Sequence, residues 1–216
     1  MAVLILAFDT AAAHCAAAVL SGDQVLAEVL EPMQKGQAER LFPLLEELLA
    51  NAGAGWRDLS ALGVGIGPGN FTGVRISVAA ARGLAVSLGV PAVGVSTLEG
   101  MAHGIDRVTL ATLDAKRDQI YLQLFDGSGA PPVLCDLEHL PLLPTHADPV
   151  CVGFRADDIA ARVGGHVAEP PFPLAVAIAR IARARRHHHA LPRPTPLYLR
   201  SADAAPAAVP PLVLVP

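Results

Sequence analysis

The chain has 216 residues, which suits one large domain or two small ones, and 52% of them are hydrophobic, so a sizeable core can form. Its formal charge is −4 at pH 7 and only 17% of its residues are charged, which excludes a protein that binds nucleic acid through bulk positive charge.

Three cysteines, Cys15, Cys135 and Cys151, are spread along the chain. Their odd number and wide spacing match neither a disulfide framework nor a zinc site, which indicates a reducing compartment. The N-terminal apolar stretch lacks a preceding basic region and is interrupted by Asp9, and no apolar run reaches the length of about 18 residues that a membrane span needs. We therefore expect a cytoplasmic protein with no membrane partner.

The first half of the sequence predicts elements in the order βββαβα followed by βα. An apolar run at 3–8 is typical of a buried strand that leads into a polar turn. Leucines at helical spacing predict an amphipathic helix over 38–51, with Pro43 kinking it or marking an irregular first turn. Ser96 is expected to cap a short helix, with Glu99 as its capping-box partner. The other predicted elements are strands at 14–20, 24–30, 61–66 and 90–95 and a helix at 70–88.

The second half repeats this pattern. An apolar run at 108–113 ends in Asp114, as the run at 3–8 ends in Asp9, and each aspartate precedes a turn glycine by 13 residues. Because a repeated supersecondary unit decides the fold, we predict a duplicated protein. Further strands are predicted at 119–125, 133–137 and 149–153, and helices at 155–163 and 173–187.

Two tandem βββαβα units resemble the ribonuclease-H-like superfamily of actin, Hsp70 and the sugar kinases, so the expected fold is α/β with two lobes. The resemblance implies that Asp9 and Asp114 lie beside a nucleotide phosphate. An aspartate at a strand end is also a common turn former or helix cap, and both interpretations stay open. The expected boundaries are a first lobe at 1–104, a reduced second lobe at 105–200 and an alanine- and proline-rich tail at 201–216, disordered or packed on the first lobe.

The segment Gly67–Gly73 follows a strand and opens a helix, where backbone N–H groups favour anions. It does not match the dinucleotide-binding pattern, because Thr72 stands at the position of the third glycine. Neither lysine of the chain follows a glycine, as a Walker A motif requires. The candidate nucleotide contacts are Asp9, Thr10, Gly67, Gly69 and Thr72.

Residues that could supply catalytic or metal chemistry are scattered. None of the eight histidines forms H-x-x-x-H or H-E-x-x-H, so no pair has the spacing of a helical metal site. Ser96 lacks the closing glycine of a nucleophile elbow. The sequence therefore predicts neither a catalytic residue nor a metal ligand.

Six strings, in their order and spacing, resemble those of the TsaB (YeaZ) family of bacterial tRNA-threonylcarbamoyladenosine proteins. The most specific is Gly67–Ile76, which reads G-P-G-N-F-T-G-V-R-I. The others are Ile5–Thr10, Ala38–Pro43, Gly94–Leu98, Asp114–Arg117 with Tyr121, and Pro196–Arg200.

The resemblance implies a subunit rather than a free-standing enzyme. Members of this family look like degenerate copies of TsaD, the subunit that carries the metal and transfers the threonylcarbamoyl group. They bind TsaD, the ATPase TsaE joins the pair, and the product is N6-threonylcarbamoyladenosine at position 37 of tRNA. The resemblance thus implies no peptidase activity, no cofactor required by this chain, and contact with tRNA through the complex.

The helices predicted at 38–51 and 70–88 are where we expect the partner to dock, because small residues on the second one allow a close approach. The isolated protein is expected to form a homodimer through the same surface. The predicted interface residues are Leu41, Leu44, Phe71, Arg75, Val78, Ala81 and Arg82.

Two other functions stay open. One is an independent enzyme of the kinase-like superfamily that binds or hydrolyses ATP, with ATP or ADP held by Asp9 and the loop at Gly67. The other is direct tRNA binding by arginines near the C-terminus, which could equally form a solvated helix face. These arginines are Arg180, Arg183, Arg185, Arg186, Arg193 and Arg200.

Overall fold

A computed structural model of the chain describes residues 3–141, 148–188 and 190–200. The tail predicted at 201–216 lies outside the described residues. The described part contains two five-stranded mixed sheets with helices packed against them, which confirms the predicted α/β fold with two lobes.

The first sheet contains strands β1 (Leu4–Asp9), β2 (His14–Ser21), β3 (Gln24–Pro32), β4 (Leu59–Gly65) and β5 (Ala92–Val95). Their order in the sheet is β3-β2-β1-β4-β5. β2 is antiparallel to both β1 and β3, whereas β4 is parallel to β1 and β5. Every residue of β1 is buried, which explains why the sequence of this central strand is apolar without alternation.

The second sheet contains strands β6 (Thr109–Asp114), β7 (Gln119–Phe125), β8 (Val133–Asp136), β9 (Val150–Gly153) and β10 (His166–Val167). Their order is β10-β9-β6-β7-β8, and the pattern of antiparallel and parallel pairs repeats that of the first sheet. The predicted duplication is therefore confirmed. The sequence did not reveal β10, because two exposed residues are too short to show a strand period.

The described residues contain five α-helices: α1 (Gln37–Asn51), α2 (Phe71–Leu88), α3 (Thr97–Ala102), α4 (Ala156–Val163) and α5 (Leu174–Arg185). α1 continues through Pro43, whose ring is on the exposed side. Ser96 caps α3 as predicted, since its Oγ accepts a hydrogen bond from the Glu99 N–H at 3.0 Å. The predicted capping box is wrong in its second half, because the Glu99 carboxylate instead binds the guanidinium of Arg185.

Opposite faces of the first sheet are covered by different helices. Leu6 and Phe8 of β1 share a buried cluster with the leucines of α1 and with Ala81 of α2. Their neighbours Ile5 and Ala7 point to the other face, where they pack in a second cluster with α5. The first sheet is thus the centre of a three-layer sandwich.

The position of α5 differs from the sequence-based boundary. Its residues lie within the range 105–200 that the sequence assigns to the second lobe, yet the helix packs on β1, β2, β4 and β5 of the first sheet. The core of the second sheet is instead built with α4 on one face and α3 on the other. A boundary near residue 104 therefore separates the two sheets but not the helices that cover them.

Replacing Ile178 of α5 by alanine tests this layering. Ile178 is fully buried against the first sheet, so Ile178→Ala should lower the free energy of unfolding by about 2–5 kcal/mol in a denaturant titration. Leu30→Ala on β3 serves as the control, because Leu30 is 65% exposed and its loss should cost less than about 0.5 kcal/mol. Similar losses in the two variants would contradict the packing of α5 on this sheet.

Candidate functional site

The turn after β1 is closed by contacts within the chain. Asp9 is fully buried, and its Oδ1 accepts a hydrogen bond from the Ala11 N–H at 3.0 Å and lies 2.8 Å from Nε2 of His14. Its other oxygen, Oδ2, is buried without a described hydrogen-bond partner. The hydroxyl of Thr10, also fully buried, donates to the Gly73 carbonyl at 2.6 Å. Both side chains that were expected to contact a phosphate therefore hold the turn together.

Three glycines are required where the loop before α2 meets this turn. A Cβ on Gly65 would lie 1.8 Å from Asp9 Oδ2, and one on Gly69 would lie 2.3 Å from the Ala11 carbonyl oxygen. A Cβ on Gly73 would lie 1.9 Å from the Thr10 carbonyl oxygen. Gly69 and Gly73 thus allow backbone to pack on backbone, and the backbone of Gly65 occupies the space beside the Asp9 carboxylate.

The five predicted nucleotide contacts differ in their exposure. Asp9, Thr10 and Gly67 are buried, so a phosphate cannot reach them in this conformation, whereas Gly69 and Thr72 are exposed on the outer side of the loop. Nucleotide binding at these five residues stays a prediction.

The thiols and the other metal-ligating side chains do not form a site in the described part of the chain. There, no group of three or more histidine, cysteine, aspartate or glutamate residues could hold a metal ion. Burial raises the pKa of Cys15 and of Cys151 to about 11, so both thiols are protonated near neutral pH.

Helix α2 starts at a well-formed cap and has two different faces. Asn70 Oδ1 accepts a hydrogen bond from the Gly73 N–H at 3.0 Å, and Ser77 Oγ donates to the Gly65 carbonyl at 3.0 Å. The inner face packs on the sheet, so Val78 and Ala81 are buried. By length and composition α2 could also cross a membrane, but this is weak evidence, because core helices of soluble proteins meet the same criteria.

Four of the predicted interface residues belong to the core. Leu41 and Leu44 of α1 and Val78 and Ala81 of α2 are at most 2% exposed, because each packs toward the sheet. The assignment to a partner surface is corrected for Leu44, Val78 and Ala81, whereas the buried Leu41 also lines a groove between α1 and α2. Phe71 is half-buried and Arg75 and Arg82 are exposed, so these three remain available.

An apolar groove runs between the outer faces of α1 and α2. Its volume is about 570 Å3. A second depression of about 640 Å3 continues it toward the C-terminal ends of both helices. Phe42 on α1 and Val86 on α2 are 43% and 86% exposed beside them. The groove is lined by Ala38, Leu41, Phe42, Ile76, Ala79, Ala80, Gly83, Leu84 and Ser87.

The chain after α5 returns to the start of α2. We call residues 190–200 the C-terminal strap. The Arg82 Nε donates to the Pro194 carbonyl at 2.7 Å, and the Leu197 N–H donates to the Ile66 carbonyl at 2.8 Å. At its end the strap reaches the second sheet, where Arg200 binds the side chain of Gln119. The strap thus links α2 to the second sheet.

Arg75 contacts an aromatic residue of α2 and one of the strap, whose rings also contact each other. Its guanidinium carbon lies 3.7 Å from the centre of the Phe71 ring, and its Nε donates to the Tyr198 hydroxyl at 2.9 Å. The Phe71 and Tyr198 rings are 4.7 Å apart. Sequence reasoning found both strings but not their contact, which joins residues 123 positions apart.

Comparison with known proteins finds relatives of this chain both by sequence and by structure. Residues 24–130 match the model of the TsaD family, which is described as tRNA N6-adenosine threonylcarbamoyltransferase. TsaB of Escherichia coli, a tRNA threonylcarbamoyladenosine biosynthesis protein, is 38% identical over 122 residues, 54% of this chain and 52% of that protein. An uncharacterized protein of Mycobacterium tuberculosis is 33% identical over 214 residues, 95% of each chain. The structure of YeaZ from Pseudomonas aeruginosa superposes with a TM-score of 0.69 at 25% identity, covering 91% of this chain and all of that one.

The chain belongs to the TsaB (YeaZ) family. It spans about half the length of the curated TsaB proteins that it matches. The segment that matches the TsaD model includes both α1 and α2, the helices that form the groove.

Most of the arginines considered for tRNA binding make contacts within this TsaB-family chain. Arg180 and Arg183 both bind Asp23, and Arg185 binds Glu99. Arg193, in contrast, is exposed. The basic character of α5 is thus largely offset by acidic neighbours.

The need for a glycine at the start of α2 can be tested against a second glycine of the same helix. Gly73→Ala should lower the free energy of unfolding by about 1–3 kcal/mol or more, because the new Cβ meets the rigid Thr10 backbone. Gly83→Ala should instead raise it by about 0.5–1 kcal/mol, since nothing lies within 4 Å of that Cβ and alanine favours a helix. Thermal or denaturant unfolding measures both. A tolerated alanine at position 73 would show that the close approach is not rigid.

Proposed function

We propose that this chain is a non-catalytic docking subunit that pairs with a TsaD-type threonylcarbamoyltransferase in the formation of N6-threonylcarbamoyladenosine at tRNA position 37. The observation that carries the proposal is the apolar groove on α1 and α2. Its outer positions are small, with Ala79 and Gly83 exposed, so a partner helix can approach closely. Exposed apolar patches beside such grooves commonly mark protein interaction sites.

The nature of the partner is supported by the family match. TsaD-type proteins share the segment that contains α1 and α2 with this chain. Two related subunits can therefore bury equivalent grooves against each other in a pseudo-twofold pair, by the same logic that makes twofold contacts self-complementary. We further propose that the chain alone forms a homodimer through this groove, that TsaD displaces the second copy, and that the ATPase TsaE joins the heterodimer.

The two alternative functions receive less support. An ATP-using enzyme would need access to Asp9, which the backbone of the turn closes off. Direct tRNA binding would need free cationic groups on α5, where Arg180 and Arg183 are already bound to Asp23. Docking is the function that the geometry favours.

A charge placed in the groove tests the proposal. Ala79→Arg should weaken binding of the host TsaD by about 30-fold or more, because the guanidinium would be desolvated at the centre of the contact. Calorimetry with purified TsaD measures the affinity, and a reconstituted assay for modified adenosine should lose activity in parallel.

The control places the same charge elsewhere. Ala161→Arg lies on the exposed side of α4, on the second sheet, and should leave TsaD binding and modification unchanged. Undiminished TsaD binding by a folded Ala79→Arg variant would contradict the assignment of the groove. Ala81 is unsuitable for such a test, because its side chain is in the core.

A further inference from the structure

The apolar groove is flanked by two charged residues of opposite sign that have no described ionic partner. Arg75 is exposed on α2, and Glu46 is exposed on α1 where it lines the second depression. Neighbouring charges on α1 are already paired, since Arg40 binds both Glu31 and Glu47. Among the described residues, no carboxylate contacts Arg75 and no cation contacts Glu46. Arg82 and Glu39 also have no described ionic partner, but Arg82 donates to the Pro194 carbonyl and Glu39 lines neither depression. The two helices thus offer Arg75 and Glu46 as a cation and an anion for a partner.

The guanidinium of Arg75 is ordered before any partner arrives. Its guanidinium carbon lies over the Phe71 ring, and its Nε donates to the Tyr198 hydroxyl. Its two terminal nitrogens have no described hydrogen-bond partner among the residues that the structure covers. These nitrogens form a fork that matches the two oxygens of a carboxylate. Because the side chain is held in place, less conformational entropy is lost when such a carboxylate binds.

The lining of the two depressions gives the relative direction of the helices. Ala38 at the start of α1 shares the first depression with Ile76, near the start of α2. Glu46, further along α1, shares the second with Leu84 and Leu88, near the end of α2. The two helices therefore run in the same direction, with Arg75 at one end of the groove and Glu46 at the other.

In a pair of copies related by a twofold axis, the Arg75 end of one groove meets the Glu46 end of the other. If the axis passes near Ala79 and Ala80, where small side chains allow the closest approach, the two copies of α2 are antiparallel. Arg75 of one copy is then level with Leu84 of the other, which shares its depression with Glu46. We infer that the Arg75 fork of each copy binds the Glu46 carboxylate of a second copy of this chain, and that Tyr198 positions the fork. This inference rests on the proposed docking role of the groove.

The surroundings favour a second copy over a nucleic acid as the ligand of Arg75. The groove beside it is apolar, which a polyanion would not fill, and the chain carries a net charge of −4. Arg57 lies in the depression of Glu46 without an ion pair to it, so the carboxylate remains open to a cation from outside. A symmetric pair of copies forms two contacts, each between Arg75 of one copy and Glu46 of the other.

Charge reversal and mixing test the inference. Arg75→Glu and Glu46→Arg should each weaken the homodimer by about tenfold or more in sedimentation equilibrium, since like charges then face each other. An equimolar mixture of the two variants should dimerise again, because both contacts of a mixed pair have opposite charges. The chain that carries both substitutions should also dimerise like the unmodified protein.

The role of Tyr198 has a separate readout. Tyr198→Phe keeps the ring on Phe71 but removes the oxygen that accepts from Arg75, and it should weaken the homodimer by roughly two- to tenfold. In the Arg75→Glu background it should have no further effect. An equal effect in both backgrounds would show that Tyr198 acts on the fold and not through Arg75.

The control variants reverse the same charges at exposed positions away from the groove. Arg162→Glu on α4 and Glu28→Arg on β3 are exposed changes of the same size, and neither should alter the dimer. The inference is overturned if the unmodified chain is monomeric, if the mixture stays monomeric, or if tRNA added to the unmodified chain is bound through Arg75 in place of a second copy. Calorimetry with TsaD on the same variants tells the two proposals apart. If the variants still bind TsaD but their mixture does not dimerise, only the Arg75–Glu46 pairing is overturned. If Ala79→Arg keeps both the homodimer and TsaD binding, the docking role itself is overturned.

Discussion

The structure depends on the close approach of two backbone segments, the turn after β1 and the first turn of α2. The Asn70 N–H donates to the Ala11 carbonyl at 2.6 Å, and Gly73 lies against the Thr10 carbonyl so tightly that a methyl group has no room. This contact fixes where α2 starts and how it is rotated about its axis. The rotation then decides which side chains face the sheet and which face outward, so the groove is a consequence of the glycines.

The same region uses polar groups that a ligand-binding turn would leave open. In a turn that accepts a ligand at its backbone N–H groups, those groups must be open. Here the Ala11 N–H donates to the Asp9 carboxylate, and the Thr10 hydroxyl donates to the Gly73 carbonyl. The glycine-rich loop is thus a rigid joint between strand and helix, which suits a helix that has to present a surface rather than a loop that has to close on a substrate.

Sequence patterns predicted the local structure well, because strand and helix periods are local. The bounds of β7 were predicted to the residue, and those of α2 to within one residue. What could not be predicted is which side of an apolar helix is buried. α2 has apolar residues on every side, so Val78 in the core and Val86 in solvent look alike in the sequence. The position of α5 on the first sheet and the contact of Arg75 with Tyr198 were equally hidden, since both join distant parts of the chain.

Those two distant contacts explain what the second half contributes to the first. α5 covers the face of the first sheet that α1 and α2 leave bare, and the strap that follows it ties α2 down at Arg75 and Arg82. A groove of small residues binds tightly only if its helices do not shift when a partner arrives, because reorganisation is subtracted from the binding free energy. The second half of the chain therefore braces the first sheet through α5 and braces α2 through the strap.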